Sequence, residues 1–100
     1  MSKQTYELRT TGSVVYIGYV DCCHDDVFKR VIGPVTISKS NMTVEQNAKG
    51  EPIVSKKYYF SSLGEYYFDY VCFDNWTEAD LFAEKELHRL QELAKKSQSQ

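Results

Sequence analysis

Short β-branched and aromatic runs, some alternating apolar with polar positions at a period of two, recur along the first three quarters of this chain, and successive side chains of such strands point to opposite faces. Residues 5–10 read as a short strand, and Thr11-Gly12-Ser13 as a turn. Residues 13–21 are β-branched and aromatic, as in a central strand. Gly18 inside that strand marks a bulge or a tight bend. Residues 22–26 are a polar break. Residues 27–38 then alternate around Val31, Val35 and Ile37, interrupted by Gly33-Pro34. Pro34 has no N–H to give a ladder, so it belongs at a sheet edge or a bulge. Met42 and Val44 mark a further strand, and residues 47–52 are rich in turn formers. Residues 53–60 return against 41–46 as a hairpin. After a second turn at 61–64, residues 66–73 form the last strand.

The period changes after Asp74. Ala83, Leu87, Leu90 and Ala94 fall on one stripe at helical spacing, with charged residues on the opposite side. Asn75 followed by Glu78, or Thr77 followed by Asp80, can cap such a helix. The helix starts near Thr77, or near Ala83 if Asp80-Leu81-Phe82 is a short strand closing the sheet. The expected fold class is α+β: a small antiparallel sheet or partly open barrel of about five to six strands, with one C-terminal helix. Residues 1–96 are expected to form one globular domain and 97–100 a frayed tail.

The strands are heavy in aromatic residues. The triplets Tyr58-Tyr59-Phe60 and Tyr66-Tyr67-Phe68 cannot turn all their rings to one side of a pleated sheet. Part of this set must line a second surface. Rings packed across strands within the core account for some of it. Those left outside suit a protein interface, where tyrosine and tryptophan serve as anchors, or the stacking of single-stranded bases.

Composition narrows the function class. The formal net charge is −2, whereas avid general nucleic-acid binders are usually basic. The charge is unevenly spread, with lysines and Arg30 in the middle and carboxylates dominating residues 65–86. No apolar run approaches the roughly 20 residues of a membrane span, and the start of the chain lacks a secretory pattern. A cytoplasmic protein with three reduced cysteines is expected.

Cys22-Cys23-His24-Asp25-Asp26 is the one cluster with metal-ligand side chains. Its candidates are consecutive, whereas zinc ligands are usually spaced so the chain can fold around the ion. Neither a metal nor a cofactor is expected. Catalysis is not expected either. Two histidines supply little acid–base capacity near neutral pH, and neither sits in a recognisable nucleophile arrangement. The glycines are isolated, so there is no phosphate loop.

Val14-Val15-Tyr16-Ile17, Asn47-Ala48-Lys49-Gly50 with Lys57-Tyr58-Tyr59-Phe60, and Ala79-Asp80-Leu81-Phe82-Ala83-Glu84-Lys85-Glu86 together resemble small uncharacterised phage and prophage proteins, across residues 13–90. That group is similar to small Src-homology-type barrels. The resemblance implies a curled sheet with Asp80-Leu81-Phe82 as its closing strand. It also implies a protein that binds and redirects or blocks a host protein, host defence nucleases included. Glu84 stands where such chains often carry a serine or threonine cap.

The expected function is therefore non-enzymatic binding of a host or partner protein through Tyr58, Tyr59, Tyr66, Tyr67 and Trp76, with Asp69 and Asp74 as an acidic steering rim. The alternative is a single-stranded nucleic-acid module using Lys56, Lys57 and the same rings. A homodimer through an open sheet edge is compatible with either.

Overall fold

The computed structural model describes residues 7–23 and 26–98. Strands β1 (Val14–Cys23), β2 (Asp26–Thr36), β3 (Lys39–Gln46), β4 (Pro52–Phe60), β5 (Glu65–Phe68) and β6 (Cys72–Phe73) precede one helix, α1 (Trp76–Gln98). The class is α+β: among the described residues there are two antiparallel three-stranded sheets, ordered β2-β1-β6 and β3-β4-β5, and no closed barrel. The rings are therefore not gathered on a single sheet. Chain contacts gather into two compact units, one built on Val35–Asp69 with the segment up to Val14, the other on Val15–Pro34 with the segment from Tyr70.

In the first unit, β3 and β4 form the expected hairpin, with Gln46 opposite Pro52 and Lys39 opposite Tyr59. Asn47 makes the turn. Its Oδ1 accepts the N–H groups of Lys49 at 2.9 Å and Glu51 at 3.0 Å, the side-chain mimicry of a backbone turn that favours asparagine at such sites. A tighter turn joins β4 to β5, where the Phe60 carbonyl accepts from Leu63 and Gly64. Gly64 has φ +70°, a left-handed conformation that suits glycine. Ile37, Tyr58 and Phe60 are fully buried in this unit, each such side chain contributing about 1.5–3 kcal/mol.

The expected strand at 66–73 is broken. Asp69–Val71 is a 3₁₀ turn, after which the chain joins the other sheet as β6. Glu7 to Thr10 is not strand, and the rest of the strand expected at residues 5–10 lies outside the described residues.

In the second unit, β1 is central and pairs with β6 through Tyr16 opposite Phe73 and Ile17 opposite Cys72. Pro34 lies on β2, an edge strand, as its missing donor requires. Val15, Ile17, Cys72, Ala79 and Ala83 are buried. Asn75 caps α1, its Oδ1 accepting the Glu78 N–H at 2.9 Å. Asp80-Leu81-Phe82 is thus helical and not a closing strand, and the helix begins at Trp76, next to the start expected near Thr77 and well ahead of the one near Ala83. Its buried face begins at Ala79, one turn before the expected stripe, while Ala94 is exposed. The helix continues through Ser97 and Gln98, two positions into the expected tail.

Gly18 lies where the Ala79 backbone comes close. A methyl group there would stand 2.7 Å from the carbonyl carbon of Ala79, so the bare backbone is what lets α1 approach β1.

Candidate functional site

The strand registers sort the rings by face. Tyr59 is opposite Tyr66 and Lys57 opposite Phe68, while Tyr58 is opposite Tyr67 and Phe60 opposite Glu65. Paired residues share a face and neighbours along a strand alternate. One face of the sheet therefore carries Tyr58, Phe60 and Tyr67. The other carries Tyr59, Tyr66 and Phe68, together with Lys39 and Lys57.

The first of these faces turns inward. Tyr58 is 0% exposed and cannot serve as a surface anchor. Its hydroxyl donates to Asp69 Oδ1 at 2.7 Å and accepts the Arg9 N–H at 2.9 Å. Burial pushes its pKa up to about 12; the Arg9 N–H works against that rise and the Asp69 carboxylate adds to it. Lys56 belongs to this side as well. Its Nζ lies 3.7 Å from Asp69 Oδ2 and donates to the Glu7 carbonyl at 3.2 Å. Tyr67 is half-buried, its hydroxyl donating to Glu65 Oε2 at 2.7 Å. Asp69 thus accepts from Tyr58 beside Arg9 and Lys56, on the side of the sheet away from the Tyr59–Tyr66 pair, with its side chain 33% exposed.

The second face is open. Tyr66 is 49% and Phe68 46% exposed. The Tyr59 and Tyr66 rings meet at a centroid distance of 5.0 Å, tilted by 54°. Lys57 Nζ stands 4.9 Å from the Tyr66 centroid and Lys39 Nζ 6.0 Å from that of Tyr59, both within cation–π range. Of the expected anchors, Tyr59 and Tyr66 are brought together here, while Asp74 and Trp76 belong to the second unit. Lys39 and Phe68 are the residues sequence reasoning missed. Counting outward from the two turns reveals both, because Gln46 opposite Pro52 brings Lys39 to Tyr59, and Phe60 opposite Glu65 brings Phe68 to Lys57.

In the second unit, a shallow cleft of about 510 Å³ is lined by Tyr19, Tyr70, Phe82 and Arg89 among others. Glu86 already holds the Arg89 guanidinium at 2.8 Å, so the cleft offers no uncommitted charge from that residue. Among the described residues, no three histidine, cysteine or acidic side chains are placed to hold a metal. Cys22 is exposed and Cys72 buried, and neither forms a disulfide. The Cys23 side chain, His24 and Asp25 lie outside the described residues. No described helix is long and apolar enough to cross a membrane.

Comparison of the chain with protein families, with curated proteins and with solved structures found no match.

Proposed function

We propose that the chain is a non-enzymatic binding protein whose contact surface is the outward face of β3–β4–β5. The observation that carries this reading is the co-facial set Tyr59, Tyr66 and Phe68, with Tyr66 and Phe68 about half exposed and lysines over the Tyr59 and Tyr66 rings. Exposing such rings leaves apolar area in water, a cost of about 25 cal/mol per Å² that an occupant recovers by covering them. Because the set lies on paired strands, the rings are held in place before binding, which lowers the entropy lost on contact.

Two kinds of occupant suit rings on a sheet. A host or partner protein is supported by the resemblance to phage and prophage proteins, and blocking a host defence factor by occupying it is the corresponding role. A single-stranded nucleic acid is supported by the lysines that share the ring face.

The test uses the tagged full chain as bait on a cell lysate, beside a Tyr66→Ala/Phe68→Ala double variant and a Tyr70→Ala control. A species held by the parent and the control but lost from the double variant is the expected result. Identical capture by all three removes the face from the account.

A further inference from the structure

We infer that the occupant of the β3–β4–β5 face is a single-stranded nucleic acid, two of its bases stacking on Tyr66 and Phe68 while Lys57 and Lys39 meet its phosphates. The inference rests on that face being the contact surface, and adds the chemistry of what it holds.

Ring placement is the first argument. Tyr66 and Phe68 alternate along β5, which sets them about 7 Å apart on one face. Tyr59 joins them from the neighbouring strand. Sheets that take unpaired bases carry aromatic residues in this arrangement and stack two or three bases on them. Every base has a π-face, so such a platform accepts different sequences. A duplex presents its bases already stacked and paired, and gives these rings nothing to receive.

Charge is the second argument, and it reverses the expectation drawn from the net value of −2. The acids nearest the rings in sequence, Glu65 and Asp69, bond to Tyr67 and Tyr58 on the inward side. Among the strand residues of the outward face, the one carboxylate is Glu45, opposite Ile53. That pair lies about 20 Å along the strands from Tyr59, beyond the Debye length of about 8 Å at physiological salt. The rings and both lysines thus form a locally cationic end of the sheet. Lysine is depleted in protein interfaces relative to the rest of the surface, whereas lysine beside rings is the ordinary equipment of a single-strand groove.

Lys57 also has a place in the free state. Its ammonium covers the Tyr66 ring at 4.9 Å. A base arriving on Tyr66 displaces it, and the released ammonium is then beside the phosphate that follows the base.

The test is fluorescence anisotropy with labelled single strands of about 12 nucleotides, oligo-dT and oligo-rA, and a duplex of equal length, across roughly 50 to 200 mM salt. The full chain should bind both single strands. Two lysine–phosphate contacts give a log–log salt slope of about −1.4, and Lys57→Gln should halve it. Tyr66→Ala and Phe68→Ala should each weaken binding at least about five-fold, with Tyr70→Ala unchanged. Circular dichroism melting confirms that each variant is folded. Equal affinity for the duplex, or indifference to both ring substitutions, overturns the inference. So does no binding at millimolar protein and low salt. If the oligonucleotides fail while the lysate bait still loses a protein on Tyr66→Ala/Phe68→Ala, the face stands and its ligand is a protein. If both fail, the face itself is wrong.

Discussion

Tyr58 donates its phenolic proton to Asp69 across 2.7 Å, joining the C-terminal part of β4 to the 3₁₀ turn that follows β5. This bond turns an acid away from the ring face and satisfies a hydroxyl that burial would otherwise penalise. The same carboxylate lies near the Arg9 and Lys56 side chains.

An alkaline pH dependence follows from this bond. With its folded pKa pushed up to about 12, Tyr58 stays protonated in the native state where the unfolded chain, near pH 10, begins to ionise. The native state binds more protons between those values, so stability falls as pH rises from about 10 to 12, and the contribution is fully present below pH 10. The two-unit gap corresponds to about 2 to 3 kcal/mol. Denaturant melts at stepped pH should show this loss in the parent chain. Tyr58→Phe should be less stable by about 1–3 kcal/mol at neutral pH and should lose that alkaline slope.

Gly18→Ala should destabilise the chain by on the order of 3 kcal/mol. The added methyl meets Ala79 backbone, with that residue's Cα 3.0 Å away, and a main chain cannot rotate aside as a side chain does. Chemical denaturation gives the value. A change within a few tenths of a kcal/mol would mean that α1 does not lie against β1 at this point.

Asn75→Ala should cost about 1 kcal/mol by leaving the Glu78 N–H without its cap, and Asn75→Asp should preserve most of the stability. Thermal melts of the two variants separate capping from packing, since Asn75 is exposed.

Lys29 on β2 reaches α1, with its Nζ 2.7 Å from Asp80 and 2.8 Å from Glu84. The hydrogen bond and charge of Lys29 hold the Glu84 carboxyl below the ordinary carboxylate range. Its stabilising contribution is present above the unfolded carboxylate pKa and is lost as pH falls through the lower folded value. Carboxyl titration by NMR should find Glu84 shifting upward in Lys29→Met. The shift should shrink in high salt, because the pair is solvent-exposed.

Local chemistry made several elements readable. Asn47 and Gly50 announced the hairpin, Asn75 and Glu78 the helix start, and Pro34 an edge strand. Alternation correctly required rings on two faces. Less accessible were features set by distant partners. The break at Asp69 is held by Tyr58 and by Arg9, residues far from it in sequence, so residues 66–73 read as one uninterrupted strand. Gly18 owes its role to Ala79, which no nearby residue signals. Lys56 and Lys57 are adjacent and looked alike, yet the pleat sends one to Asp69 and the other over Tyr66. Helical periodicity found Ala83 but missed Ala79, because the segment around it also read as a closing strand.

The most direct measurement of where this chain binds is an aromatic ¹H–¹³C NMR titration of the full chain with a single-stranded oligonucleotide. Tyr59, Tyr66 and Phe68 ring signals should shift together, the Lys57 ε-protons should lose the upfield displacement caused by the Tyr66 ring, and Tyr70 should stay in place. Binding that moves Tyr70 or Trp76 and leaves Tyr66 and Phe68 untouched would contradict the account.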